Sequence, residues 1–192
     1  FCDKGLINNC NVTKVYETAG EIIHVLDEEP TEINNVYCEI DWKRRKYGMT
    51  HHLGQHILSG CFFSLFNKNT CAFHMGNDSC TVDIVGELSK QQVLEVEIYA
   101  NEIISQMIDI EIITPSSDEL YKYDLRRDLP NTNEQIRIVK IGELDINACC
   151  GIHLKNSGEL KLIKIIKFEK HKGNTRIEYV AGDRAVQYVL NR

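Results

Sequence analysis

Two histidines stand four residues apart in the stretch MTHHLGQHILSGCFFSLF, at His52 and His56. A cysteine and a histidine repeat the interval in CCGIH, at Cys149 and His153. On a helix this spacing puts two imidazoles on one face a turn apart, where both can hold one metal ion. Four nitrogen and sulfur donors are the ligand set of tetrahedral zinc. The expectation is therefore Zn2+ held by His52, His56, Cys149 and His153, in a chain that folds to bring the two halves together. His52 is followed by Leu53, where a metalloprotease would carry a glutamate as general base, so the pattern is not that motif. Cys150 also stands at a spacing from His153 that permits a shared ion, and spacing does not choose between the two thiols. Four protein ligands ordinarily close a structural site, whereas catalytic zinc keeps a position for water.

Two polar residues lie near these half-sites. Gln55 falls inside the histidine turn, one residue off the ligand face, where it lines the site or merely supports the helix. His74, in FHMG, precedes a turn. It reads either as a half-buried strand histidine or as a proton carrier beside the metal.

The elements that must position these groups are legible from periodicity. Met49, Leu53, Ile57, Leu58, Cys61, Phe62, Leu65 and Phe66 recur at helical spacing, which predicts an amphipathic helix over 49–66. Before it, LINNCNVTKVYET, a tight AGE turn and EIIHVLDEEP predict short strands and hairpins, and Val36 to Trp42 alternates as a further strand. After it come a strand pair joined at Gly76-Asn77-Asp78, and a helix opened by the capping box Ser89-Lys90-Gln91-Gln92 and running to about Ile108. A strand over 110–114, a short helix from Glu119, the polar loop DLRRDLPNTNE and a strand over 136–141 lead to DINACCGIH. Strands over 160–169 and in TRIEYVAG close the chain. The fold class is α+β, with antiparallel sheet and two long helices packed on one face. The domain reading is a partial β-barrel-like module at 1–41 and the metal-binding domain at 42–192.

The chain has 192 residues, 43% hydrophobic and 26% charged, which is ordinary globular composition. No apolar run reaches the roughly 18 residues a membrane span needs. The first residues lack a signal-peptide layout, and the missing initial Met suggests a fragment. Among the eight cysteines, Cys61 and Cys80 fall at apolar positions, the pattern of a reduced cytoplasmic protein. A net charge of −6 argues mildly against a nucleic-acid partner. Two basic runs stand out against it: Lys43 to Lys46, and Lys161, Lys164, Lys167, Lys170 and Lys172.

HHLGQHILSG followed by ACCGIHLKNSGELKLIKI resembles the editing domain of alanyl-tRNA synthetases, and more closely the freestanding AlaX-type editing proteins. The family signature is HxxxH, then CxxxH in a Cys-Gly-Gly-Thr-His context followed by Asn-Thr-Gly-Glu. Here these stand as His52 to His56, Cys149 to His153, and Asn156-Ser157-Gly158-Glu159. TRIEYVAG resembles the family's Arg-Ile-Glu strand before its last helix. The likeness covers most of residues 40 to 190, and residues 1–41 resemble the end of the family's preceding β-barrel domain. That domain's glycine-rich turn would lie before Phe1, and a tRNA-reading C-terminal domain beyond Arg192.

The resemblance implies zinc-dependent hydrolysis, in trans, of the aminoacyl ester of mischarged tRNA(Ala), as Ser-tRNA(Ala) or Gly-tRNA(Ala). His74 falls where the family places a polar residue near the ester, and Asp145 is placed to orient a ligand. Three positions depart from the pattern. Leu53 stands where the family has a Thr or Ser credited with reading the serine hydroxyl, Cys150 replaces a Gly, and Ile152 replaces a Thr. Two rival readings are a non-catalytic tRNA- or protein-binding module with structural zinc, and a cysteine hydrolase built on Cys149 or Cys150.

Overall fold

A computed structural model describes residues 2–132 and 134–191. The chain divides into two compact units, Phe1–Gly48 and Met49–Arg192. In the first, strands β1 (Gly5–Ile7), β2 (Cys10–Thr18), β3 (Glu21–Leu26) and β4 (Cys38–Ile40) form one antiparallel sheet in the order β3-β2-β1-β4. Ala19 and Gly20 both take positive φ, 51° and 81°, which turns β2 into β3 as a two-residue hairpin. β3 and β4 remain as sheet edges, so no barrel closes.

The strand expected over Val36 to Trp42 shortens to Cys38–Ile40 because Asp41 starts a helix. Its Oδ1 accepts from the Arg44 amide at 3.0 Å and its carbonyl from the Arg45 amide, an N-cap arrangement. Helix α1 thus runs Trp42–Phe66, seven residues longer at its start than the apolar periodicity shows. Lys43 to Lys46 form its opening turn. Arg45 is ion-paired with Asp3, and Arg44 Nε donates to the Cys2 carbonyl at 2.9 Å.

The second unit holds two antiparallel sheets. One has the order β10-β11-β6-β5, from β5 (Thr70–Met75), β6 (Cys80–Ile84), β10 (Ile163–His171) and β11 (Asn174–Ala181). The other runs β7-β8-β9, from β7 (Ile110–Ile113), β8 (Ile138–Ile141) and β9 (Asp145–Ala148). Helix α2 is Lys90–Ser105, opened by the reciprocal Ser89–Gln92 capping box. It stops short of Ile108 because Met107 turns left-handed at φ 53°. β10 begins at Ile163, later than expected, because Asn156 and Glu159 cap a 3₁₀ turn over Ser157–Leu160. A short helix α3 (Asp183–Leu190) follows β11. Among the described residues no helix is long and apolar enough to cross a membrane.

One core unites the second unit. Leu53, Ile57, Leu58, Cys61 and Phe62 of α1 meet Val93, Val96, Ala100, Ile103 and Ile104 of α2. Against both pack Val82 and Ile84 of β6, Ile163 of β10 and Ile177 and Tyr179 of β11. From Leu53 to Phe62 every α1 residue is buried, so this stretch has no solvated side. Its polar residues face other polar groups instead. Gly60 permits this enclosure: a Cβ there would sit 2.8 Å from Leu144 Cγ and 2.9 Å from the Leu144 carbonyl. Mid-helix glycine costs about 0.5–1 kcal/mol relative to alanine. Burying a side chain such as Phe62 contributes about 1.5–3 kcal/mol, so close packing prevails.

The lysine run along β10 is not an open basic strip. Four of its five lysines are paired, Lys161 with Asp183, Lys164 with Glu97, Lys167 with Glu169 and Lys170 with Glu87, while Lys172 lies in the turn after β10. All eight cysteines are free thiols.

Candidate metal centre

Helix α1 carries His52 and His56 into the interior, and the loop after β9 brings Cys149 and His153 to meet them. One ligand atom from each of the four lies within 4.8 Å of every other. Cys149 Sγ is 3.5 Å from His52 Nε2 and 3.6 Å from His153 Nε2. A sulfur and a nitrogen on neighbouring corners of a zinc tetrahedron, at about 2.3 and 2.05 Å from the ion, would be about 3.5 Å apart. The donor set and these two distances therefore suit one metal ion shared by the four residues. The rings crowd together: His52 and His153 centroids are 4.4 Å apart, and His56 meets His153 edge-on at 4.9 Å.

The loop after β9 reaches this position because of two features. Gly151 lies against the His52 ring, where a Cβ would fall 2.1 Å from Cε1. Arg137 donates through Nε to the Cys149 carbonyl at 2.9 Å and through Nη2 to the Gly151 carbonyl, pinning both ends of the turn. Cys150 is exposed and stands outside the four-donor cluster, so the thiol that spacing left open is Cys149.

A buried polar group supports the ring of His56. Its Nδ1 is 2.7 Å from Asp145 Oδ2, which leaves Nε2 for the cluster. Asp145 Oδ1 accepts from Arg126 Nε at 2.6 Å and from Asn147 Nδ2 at 2.8 Å. Burial would push the Asp145 carboxyl up, but His56 and Arg126 hold it below its ordinary value. Burial likewise pushes the Cys149 thiol up, yet bonds from His153, His52 and His56 bring it down to about 3. His56 is depressed by burial and raised more by Asp145 and Cys149, to about 9. His153 is lowered, chiefly by burial. Without a metal the cluster is thus a thiolate held beside a protonated His56, and a metal bound here would take the place of that proton.

His52, His56 and Cys149 open onto a cleft of about 410 Å³, whose walls include Gln55, Phe73, Arg126 and Arg127. Gln55 is buried at the floor, donating to Ser59 Oγ at 2.8 Å, which also accepts from Thr70 Oγ1 at 2.6 Å. The Phe73 ring lies parallel to His52 with centroids 5.9 Å apart. Leu53, by contrast, is fully buried in the core and forms no wall of the cleft.

His74 is not brought to the cluster. It is exposed and follows Phe73 on β5, and successive strand residues face opposite sides. Its register partners Thr81 and Glu178 place it on the sheet face away from α1. Three residues of the site carry no spacing signal: Arg126 and Arg127 in a loop that reads only as polar, and Arg137 just before β8. His51 is the third histidine of α1 and is buried, but its Nε2 accepts from the Ala181 amide at 3.2 Å, tying the helix to β11.

Residues 136–178 match the family model of the threonyl and alanyl tRNA synthetase second additional domain. The alanyl-tRNA editing protein AlaX-L of Pyrococcus horikoshii is 33% identical over 195 residues, covering 96% of this chain and 48% of its own length. The alanyl-tRNA editing protein Aarsd1-B of Xenopus laevis is 29% identical over 97% of this chain and 46% of its own. An alanine–tRNA ligase of Hyperthermus butylicus is 30% identical over 98% of this chain and 22% of its own. The chain spans about half the length of the editing proteins it matches. The chain is thus similar along nearly all of its length to alanyl-tRNA editing proteins, and within it residues 136–178 match the second additional domain of the threonyl and alanyl tRNA synthetases.

Proposed function

We propose that this chain hydrolyses, in trans, the ester that joins a wrongly attached serine or glycine to tRNA(Ala), with Zn2+ held by His52, His56, Cys149 and His153. The observation that carries this reading is the four-donor cluster at the floor of an open cleft, in a chain related to alanyl-tRNA editing proteins. An ester of the terminal ribose is labile, and its cleavage needs the carbonyl polarised and a water admitted. Zinc bound there would supply Lewis acidity toward that carbonyl.

The chain's own residues do the rest. Asp145 fixes the His56 ring through Nδ1, and Arg126 and Asn147 fix Asp145. Gln55 contributes a polar floor, with its amide nitrogen committed to Ser59. In this reading Gln55 faces the aminoacyl group, Asp145 is a positioning residue and His74 takes no part. Leu53 is buried in the core and offers no hydroxyl to a serine side chain.

Deacylation of Ser-, Gly- and Ala-tRNA(Ala), with and without a chelator, tests the proposal. Chelator-sensitive release of serine or glycine, with Ala-tRNA(Ala) spared, is the expected result. Turnover indifferent to chelator, or none on any substrate, overturns it.

A further inference from the structure

We infer that Arg127 is a phosphate clamp, binding the phosphodiester on the 5′ side of the terminal nucleoside whose ester lies at the metal centre. The inference rests on the editing reading of this same cleft and names a binding contact within it.

The first observation is charge compensation. Among the described arginines, Arg44, Arg45, Arg126, Arg137, Arg176 and Arg184 each donate to a carboxylate or a carbonyl. Arg127 alone has neither a hydrogen bond nor an ion pair. It is exposed and lines the cleft beside the cluster. In a chain of net charge −6, whose β10 lysines are each engaged with an acidic partner, an uncommitted guanidinium at this lip is the group most available to an anion.

The second observation is the backbone that aims it. Arg126 and Arg127 are adjacent, and Arg126 is drawn inward to Asp145 while its amide donates to the Ile146 carbonyl at 3.0 Å. The loop is therefore tied to β9 one residue before Arg127. Arg126 Nη1 is itself buried without a partner, leaving an unmet donor on this wall as well.

The third observation is the aromatic residue in the cleft lining. Phe73 presents an aromatic ring to the cleft, a surface on which a base can stack. Metal donors, an aromatic ring and an uncommitted arginine around about 410 Å³ match the three parts of an aminoacylated nucleotide end: ester, base and phosphate.

Two measurements test this. The first is equilibrium binding of a short RNA ending in ACCA to wild type, R127A and R127K, across a salt series. R127A weakens binding roughly tenfold and lowers the salt slope by about 0.7, the contribution of one phosphate contact on a single strand. R127K keeps the slope. The second compares seryl-tRNA with 2′(3′)-O-seryl-adenosine, which has no phosphate. The loss in kcat/KM for R127A on tRNA exceeds that on the nucleoside ester by about tenfold. Equal binding and slope in wild type and R127A, or equal losses on both esters, overturn the clamp and leave the editing reading intact. A wild type that binds the RNA through Arg127 but hydrolyses neither ester overturns the editing reading and keeps the contact. Melting temperatures of the variants stay at the wild-type value, because Arg127 makes no contact that folding needs.

Discussion

Asp145 Oδ2 lies 2.7 Å from Nδ1 of His56, and this pair decides which nitrogen the histidine offers. Replacing Asp145 by Asn removes the charge and keeps the shape. Loss of such an outer partner lowers metal affinity about 10–100-fold. Competition against a zinc-binding dye measures it. D145A goes further, because it strands the buried Arg126 guanidinium. Breaking a buried pair in this way costs about 3–5 kcal/mol, visible in the urea midpoint. Unchanged zinc affinity in D145N would show that the ring needs no orienting.

The two adjacent thiols separate cleanly. C149A removes a donor from the cluster and loses its zinc on dialysis, while C150A retains it. Zinc per chain, measured after exhaustive dialysis, decides the matter. Equal retention in the two variants refutes the ligand assignment.

Gly151 is needed for the site rather than for the core. In G151A the new methyl would collide with His52 Cε1, so the ring or the loop must shift. We expect a metal-free melting temperature close to wild type with zinc affinity reduced at least tenfold. A G151A chain that binds zinc as wild type does would show the loop to be soft.

A pH effect arises far from the metal, where Arg176 holds Asp83 through two bonds of 2.7 Å. Arg176 lowers the Asp83 carboxyl below its ordinary value of 3.8, against a smaller opposing effect of burial. A carboxyl depressed in the folded state stabilises above its unfolded value and loses that contribution as pH falls through the folded one. R176M is therefore less stable than wild type at pH 7, and the gap narrows below about pH 4. A gap that widens in acid would contradict the pairing.

The parts of this molecule visible in the sequence are those where local pattern and tertiary role coincide. The α2 capping box, the four donors and the α+β class follow from spacing that chemistry or periodicity dictates. The start of α1 was hidden because Asp41 overrides the strand pattern of Val36 to Trp42 with a cap. His74 misled because a strand alternates, and Phe73 rather than its neighbour turned to the metal side. Arg126, Arg127 and Arg137 carry no period. Their parts arise only when the loop after Tyr123 crosses β9, a contact that no local pattern encodes.

The enclosed α1 half-site has a consequence for biosynthesis. His52 and Cys149 are 97 positions apart, and the β8–β9 hairpin lies between them in the chain. A nascent polypeptide that has exposed only its first half offers two imidazoles on a bare helix. The tetrahedral set exists only once CCGIH has left the ribosome and the long intervening loop has closed. Metal capture therefore reports completion: a prematurely terminated product, however helical, has no competent metal centre.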